Sequence, residues 1–211
     1  MKWEDLLAKV GREPVFRASL LEVGGVSTAE LRVQLSRWVR AGRLVQLRRG
    51  VYALSRPHRQ TDPHPFLIAQ SLRKNAYISL QSALAYHGLI PEHVPTVTCV
   101  TTGRSERIQT DLGSFLLRHV STTYFFGYRE TEVARGQHAF VALPEKALLD
   151  LIYLTPGGDR TEFLRELRLQ NADALDSEVL TDFVARLEKP KLRRALRALN
   201  SIIQPERRTT V

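Results

Sequence analysis

Arginines recur in two short stretches near the start of the sequence, and their spacing suits contact with a polyanion. Arg32, Arg37 and Arg40 lie within a predicted helix, and Arg43 and the pair Arg48-Arg49 follow it. A guanidinium group can bond two acceptors at once, which fits phosphate oxygens and the major-groove edge of guanine. The residue types therefore indicate contact with nucleic acid.

The positive charge of the chain is concentrated in the same region. The 211 residues carry a net charge of +9, and residues 1–60 hold 12 Lys/Arg against five Asp/Glu, whereas residues 61–150 hold eight of each. A local basic excess attracts polyanions by releasing their condensed counterions. A basic surface that serves solubility would have the same charge. The sequence motifs therefore have to distinguish nucleic-acid binding from this alternative.

A capped helix is predicted to carry the first group of arginines. Ser27 and Glu30 have the spacing of a capping box, in which the Ser27 hydroxyl accepts from the Glu30 amide. The helix is predicted over residues 28–41 and should end at Gly42. At 100° per residue, Leu31, Leu35 and Trp38 form one apolar stripe that leads to Gly42, which predicts the buried face.

The opposite face of this helix has the form required for entry into a major groove. It holds Ala29, Val33, Ser36 and Arg40, flanked by Arg32 and Arg37. Compact residues near the helix start allow close approach to base edges, and arginines reach guanine or phosphate. An ordinary amphipathic helix with solvated arginines would show the same pattern in isolation.

The neighbouring segments complete a winged helix-turn-helix. Residues 2–10 and 17–23 are predicted as helices, the second ending at Gly24-Gly25, and residues 44–47 and 50–54 as a hairpin whose tip is Arg48-Arg49. Hairpins in this position contact the sugar-phosphate backbone. The predicted DNA-binding residues are Thr28, Arg32, Val33, Ser36, Arg37, Arg40, Arg43, Arg48 and Arg49.

The remainder of the chain predicts a second domain, so that the whole is of the α+β class. Residues 55–63 are polar, with two prolines, and are interpreted as a linker between a winged helix-turn-helix domain (residues 1–56) and an α/β domain (residues 63–205) with helices appended at its C-terminal end. The charge distribution predicts that residues 1–58 alone keep a preference for operator DNA. Helices are predicted at 64–75, 80–87, 144–154, 160–170, 177–188 and 190–203, and strands at 96–101, 114–120, 124–128 and 138–143.

The string LSRWVRAGRLVQLRRGVYAL at residues 35–54 resembles the N-terminal winged-helix domain of AbiEi-type antitoxins of abortive-infection systems. Residues 78–89, with a pattern S-x-x-SAL-x-x-HGL, residues 97–102, residues 118–120 and the segment PEKALLD at 144–150 resemble later parts of that family in the same order. The resemblance spans roughly residues 16–154. The helices after residue 158 match no pattern of the family.

The resemblance implies a regulator of phage defence, encoded beside a nucleotidyltransferase-like toxin. Such proteins repress their own operon through the N-terminal domain, and their C-terminal domain carries the antitoxic function. In type IV systems they act without a stable complex with the toxin. The implied partners are therefore double-stranded operator DNA and a toxin that is antagonised indirectly.

Glu145, Lys146 and Asp150 invite a catalytic interpretation, but a structural one is simpler. Glu145 complements the positive end of a helix that Pro144 opens, and Lys146 and Asp150 are an (i, i+4) pair of the kind that contributes a few tenths of a kcal/mol. Ala147, Leu148, Leu151 and Ile152 are predicted as the core face of that helix.

Other chemistry-bearing residues also have plain explanations. His87 precedes Gly88 and is predicted to cap a helix, His119 lies in an apolar strand, and neither belongs to a metal-ligand spacing. Nucleotide-binding loops and nucleophile motifs are missing from the sequence, so we expect no enzyme activity, no cofactor and no metal. A basic run is interpreted as a solvated helix face, with a second nucleic-acid or partner contact as the alternative; it comprises Lys189, Lys191, Arg193, Arg194 and Arg197.

Cellular location and the rival functions complete the expectations. One cysteine, Cys99, fits a reducing cytoplasm, the first residues do not resemble a signal peptide, and apolar runs are too short to cross a bilayer. One rival is a winged-helix regulator whose C-terminal domain senses a ligand. The other is an enzyme on nucleic acid or protein that the winged helix would target to its substrate.

Overall fold

The computed structural model describes residues 1–21 and 27–209, and for residues 203–209 it describes the backbone alone. The helices are α1 (Trp3–Val10), α2 (Thr28–Arg40), α3 (Pro65–Leu72), α4 (Leu80–Tyr86), α5 (Pro144–Leu154), α6 (Thr161–Glu166), α7 (Ser177–Leu187) and α8 (Pro190–Thr209). The strands are β1 (Phe16–Arg17), β2 (Leu44–Arg48), β3 (Val51–Leu54), β4 (Ala76–Ile78), β5 (Thr96–Thr101), β6 (Glu106–Thr110), β7 (Gly113–His119), β8 (Tyr128–Ala134) and β9 (Gln137–Ala142). The architecture is mixed α+β, as the sequence predicts.

The smaller sheet is antiparallel, with strand order β1–β3–β2. The prediction of a helix over residues 17–23 is wrong, because Phe16 and Arg17 pair with β3 and residues 18–21 form a single 3₁₀ turn. Phe16 is buried and stacks on Tyr52 at 5.9 Å, which holds this segment extended against the sheet. The expected end of that helix at Gly24-Gly25 lies outside the described residues.

The larger sheet has six strands in the order β6–β7–β5–β4–β9–β8. The β5/β7 and β4/β9 pairs are parallel and the remaining neighbours are antiparallel. Helix α5 packs against α4, α7 and α8. The mixed sheet with helices around it matches the predicted α/β character of this part of the chain.

The predicted strands at 96–101, 114–120 and 138–143 are confirmed as β5, β7 and β9 within a residue. The strand predicted at 124–128 is wrong, because a 3₁₀ turn ends at Tyr124 and β8 begins only at Tyr128. The aromatic run is apolar because it fills the core. Tyr124 stacks on Tyr153 at 4.4 Å, and Phe125 packs on Tyr77 at 5.1 Å.

Strand β3 is common to two hydrophobic cores. Tyr52 and Leu54 lie in the smaller core with residues of α1 and α2, whereas Val51 and Ala53 lie in the larger core with residues of the six-stranded sheet. All four residues of β3 are buried. The hairpin therefore connects the two parts of the molecule through side-chain packing as well as through the chain itself.

The segment interpreted as a linker contacts the elements on both sides of it. The Ser55 hydroxyl donates to the carbonyl oxygen of Arg43 at 2.9 Å. The side chain of Gln137 accepts from the amide of His64 at 2.7 Å and donates to the carbonyl oxygen of Asp62 at 3.0 Å. The boundary between residues 1–56 and 63–205 stays a prediction.

Candidate nucleic-acid interface

Helix α2 is fixed at its start and along one face. The Glu30 amide donates to the Ser27 hydroxyl at 3.2 Å, so the predicted N-cap is confirmed. The predicted stripe of Leu31, Leu35 and Trp38 is buried in the smaller core, where it meets α1 and the hairpin. An anchored helix of 13 residues results, and its other face is free for a different task.

The outward face of α2 is exposed at every position that the sequence assigned to DNA. The exposed residues are Thr28, Ala29, Arg32, Val33, Ser36, Arg37 and Arg40. This face is small and neutral near its start and cationic towards its end. Among the described residues no ion pair involves its three arginines. Such a surface can offer charged donors to phosphates or base edges at little desolvation cost.

The arginines of the hairpin differ in their surroundings. The Arg43 guanidinium lies over the ring of Trp3, 5.3 Å from its centroid, and the side chain is exposed. Arg49 is exposed in the turn beside Gly50, whose φ of +79° lies in the left-handed region that glycine adopts without strain. Arg48 is the last residue of β2 and is half-buried.

Arg48 is already paired within the protein. Its Nη1 donates to Glu106 Oε2 at 3.2 Å, and Arg73 Nη2 donates to the same oxygen at 2.6 Å. One carboxylate from the edge strand β6 therefore joins the hairpin to the C-terminal part of the molecule. The Arg17 guanidinium reinforces this junction by donating to the carbonyl oxygen of Ser71 at 2.6 Å. Sequence reasoning missed Glu106, Arg73 and Arg17, because no local pattern indicates contacts over 33 to 58 residues.

Two of the three residues that invited a catalytic interpretation, Lys146 and Asp150, form a buried polar cluster with Tyr77 and Ser79. Lys146 bonds Asp150 and donates to the Tyr77 hydroxyl at 2.8 Å, and the hydroxyls of Tyr77 and Ser79 each donate to Asp150 Oδ2 at 2.8 Å. All four residues are at most 1% exposed. Burial lowers the pKa of Lys146, an effect that the Asp150 charge opposes. The estimate of a few tenths of a kcal/mol is wrong for this pair, because it is buried and not on a helix surface.

The same helix holds a further buried carboxylate. Glu145 is 4% exposed and accepts from the amide of Asp176, just before α7, at 2.8 Å. The predicted core face of α5 is confirmed, since Ala147, Leu148, Leu151 and Ile152 are at most 1% exposed. The cluster and Glu145 hold α5 to its neighbours, and each of these side chains is buried.

The basic residues of α8 are not all solvated. Lys191 Nζ donates to the carbonyl oxygens of Tyr153 and Thr155 at 3.0 and 2.5 Å, so it caps the end of α5. Arg194 pairs with Asp159 at 2.7 Å. The interpretation as a solvated face is therefore wrong for Lys191 and holds for the exposed residues Lys189, Arg193, Arg194 and Arg197, of which Arg194 also forms this ion pair.

The histidines have structural partners. His87 caps α4, as predicted, and its Nε2 lies 2.8 Å from the carbonyl oxygen of Ala142. His119 is exposed at the end of β7, with Nδ1 2.8 Å from the carbonyl oxygen of Gly103. Within the described ranges no group of three or more His, Cys, Asp or Glu side chains could hold a metal ion.

A cavity of about 410 Å³ opens on the larger part of the molecule. Aromatic and imidazole rings form one wall, with Phe66 5.0 Å from His64 and 5.8 Å from Tyr86, and Leu112 and Ser114 lie among the remaining lining residues. Burial lowers the pKa of His64. The space would admit a small organic molecule.

Comparison with known proteins supports the interpretation of the first part of the chain. Residues 5–55 match the family model described as "Transcriptional regulator, AbiEi antitoxin", which confirms the resemblance to AbiEi antitoxins over that stretch. The match supports, in general terms, a role as an antitoxin and transcriptional regulator. Residues 78–89 and 144–150 lie beyond it, so their resemblance to the family rests on the sequence motifs.

No protein of curated function matches the sequence. Among solved structures, the RV2827C protein from Mycobacterium tuberculosis is similar at a TM-score of 0.55, with 17% sequence identity over 92% of this chain and 76% of that one. At this identity the similarity concerns the fold alone. Over the part of the chain that the structure describes, every helix is too short or too polar to cross a membrane.

Proposed function

We propose that this chain, whose residues 5–55 match the AbiEi antitoxin regulators, is an antitoxin that binds operator DNA and represses its own operon. In this proposal residues 1–56 act as a winged helix-turn-helix, with α2 as the recognition helix and the β2–β3 hairpin as the wing. Residues 63–205 carry the antitoxic function. The toxin is a nucleotidyltransferase-like protein that the antitoxin opposes without a stable complex.

The observation that carries the proposal is the exposed, cationic face of α2. Its opposite face is locked into the smaller core by Leu31, Leu35 and Trp38, so the helix cannot turn its arginines inward. The arginines of the outward face have no ion-pair partner in the described ranges, and the net charge of +7 on residues 1–60 favours a polyanion.

The two groups of arginines are proposed to do different work. On α2, at least one of Arg32, Arg37 and Arg40 contacts a base edge, and guanine is the usual partner of arginine there. Arg32 is the first choice, because base contacts favour the N-terminal half of such helices. In the hairpin, Arg49 contacts phosphate, which adds affinity without selecting a sequence.

We further propose that the chain is not an enzyme. Lys146, Asp150 and Glu145 would be its natural catalytic candidates, and each is buried and bonded to protein groups. A substrate could reach them only if α5 separated from α4 and α7. A cavity of about 410 Å³ favours the second candidate function, a regulator with the same DNA-binding part and a ligand-sensing C-terminal part.

The test is a binding titration with DNA from upstream of the chain's own gene, compared with random duplex. Arg32→Ala is expected to weaken operator binding by about 5- to 150-fold, which corresponds to roughly 1–3 kcal/mol, and to change random binding far less. Arg12→Ala is the matched control, because Arg12 is exposed in the same region but lies outside α2. Equal affinity of the unaltered chain for operator and random DNA would contradict the proposal.

The antitoxin function needs a separate test in cells. Co-expression of the chain with the product of the neighbouring gene is expected to restore growth that this gene product alone arrests. Lys146→Ala provides a destabilised control, and Arg32→Ala should still rescue growth when both genes are expressed from foreign promoters. Failure of the unaltered chain to rescue growth would leave it a DNA-binding regulator without the antitoxic function.

A further inference from the structure

One position on the exposed face of α2 does not fit a helix that contacts phosphates alone. Val33 is 54% exposed, whereas the large apolar residues of the same helix, Leu31, Leu35 and Trp38, are buried. It lies one turn after Ala29 and one turn before Arg37, so it occupies the middle of the outward face. An apolar side chain at this place contributes nothing to phosphate binding.

The chemistry of the major groove supplies a partner for such a side chain. Base pairs present hydrogen-bond donors and acceptors there, and the C5-methyl group of thymine is the one apolar feature. Valine is branched at Cβ and is nearly confined to one χ1 rotamer in a helix, so its two methyl groups stand in a fixed position. A short, rigid apolar side chain at the centre of the face can therefore favour thymine over bases that lack the methyl group.

The surroundings of Val33 point to DNA more than to a protein partner. A cavity of about 490 Å³ at this part of α2 has Val33 among its lining residues, together with Glu30, Gln34, Arg37, Met1 and Leu31. Arg32 and Arg37 flank Val33 and are exposed. An apolar docking surface for a second protein would be depleted of charge at its centre, whereas a DNA-reading surface places one apolar contact among cationic ones.

We propose that Val33 is a specificity-determining residue that reads the C5-methyl group of one thymine in the operator. This inference rests on the proposed function, and it deepens that function by naming the base that the middle of α2 selects. Ser36 and the flanking arginines supply the polar contacts on either side of the thymine.

The experiment replaces each thymine of the operator in turn with deoxyuridine, which lacks the methyl group and keeps the pairing. The unaltered chain is expected to lose about fourfold in affinity at one position, which corresponds to about 0.8 kcal/mol for one buried methyl-sized group. Val33→Ser should show little or no loss at that position, because serine lacks the two methyl groups that contact the thymine. Arg49→Ala is the matched control, expected to bind more weakly overall while retaining the fourfold loss.

Several outcomes would overturn the inference and leave the proposed function standing. One is specific operator binding in which every thymine replacement is neutral; another is the same deoxyuridine loss in Val33→Ser, which would assign the methyl contact to a different residue. A change of oligomeric state in Val33→Ser, measured by sedimentation, would show that Val33 covers a second copy instead. Loss of all preference for the operator in the unaltered chain would contradict the proposed function itself.

Discussion

Arg48 and Arg49 are adjacent in the sequence, yet their effects on DNA binding should differ. The Arg48 guanidinium is 3.2 Å from Glu106 Oε2, and the two side chains are 39% and 35% exposed. Arg49 has no ion-pair partner among the described residues and lies in the turn of the hairpin. The two positions therefore differ in whether the positive charge is available to a phosphate.

The expected magnitudes follow from counterion release. A side chain that neutralises one phosphate contributes about 0.9 to the slope of log K against log salt concentration. Arg49→Ala should remove about that amount, and Arg48→Ala should remove less than half of it. Glu106→Gln should tighten DNA binding by up to about fivefold. In the unaltered chain Arg48 has to give up its ion pair with Glu106 to bind a phosphate, and a partly exposed ion pair contributes about 0.2–1 kcal/mol.

The assay is a salt titration of fluorescence anisotropy with operator and random duplexes. Because Glu106→Gln also releases Arg73, the double variant Arg73→Gln/Glu106→Gln isolates the contribution of Arg48. Asp111→Asn, which removes a charge from the exposed β6–β7 turn, controls for net charge. Equal losses of slope in Arg48→Ala and Arg49→Ala, together with no effect of Glu106→Gln, would refute the reasoning that the ion pair withholds Arg48 from DNA.

Three further predictions concern stability and reactivity. Lys146→Ala should lower the free energy of unfolding by about 3–5 kcal/mol, because it leaves the buried Asp150 carboxyl without its partner; urea titration measures this loss. Burial raises the pKa of the Cys99 thiol to about 12, so the folded protein should resist thiol reagents at pH 8 and react when unfolded. Between pH 9 and 12 the unfolded thiol ionises while the folded one keeps its proton, so this group makes the free energy of unfolding fall as pH rises. Residues 1–58 alone should melt well below the full chain and bind the operator weakly, because the larger core that covers Val51 is missing; circular dichroism follows the melting.

Each of these predictions has a result that would count against it. A loss below 1 kcal/mol for Lys146→Ala would mean that water reaches the cluster. Rapid labelling of Cys99 in the native protein would mean that β5 opens frequently. A fragment of residues 1–58 that melts at the temperature of the full chain would show that the contacts of β3 with the larger core are dispensable for stability.

Local chemistry determined which features could be predicted from sequence. The cap at Ser27 and the buried stripe of α2 depend on residues three to seven positions apart, so both can be recognised from the sequence. Strand β6 was missed because its polar residues at a sheet edge resemble a loop, and the aromatic run at 124–128 was mistaken for a strand because core-filling loops and strands share composition.

The candidate site was predictable to the same extent. The exposed positions of α2 follow from helical periodicity alone. The partner of Arg48 did not, because Glu106 is 58 residues away and reaches the hairpin only through the pairing of β6 with β7. The burial of Lys146 and Asp150 could not be predicted either. Their hydrogen-bond partners Tyr77 and Ser79 lie about 70 residues earlier in the chain.

The position of β3 between two cores would limit how α2 could approach a DNA duplex. A winged-helix domain that a flexible linker joins to its neighbouring domain can change its orientation until its contacts with the DNA groove form. Here Val51 and Ala53 pack in the larger core while Tyr52 and Leu54 pack in the core of α2, so side-chain packing on both sides holds the hairpin in place. If α2 enters a groove, the duplex has to adapt its curvature to a fixed surface. Sequences that bend cheaply at flexible pyrimidine–purine steps would then be preferred at positions that no side chain touches.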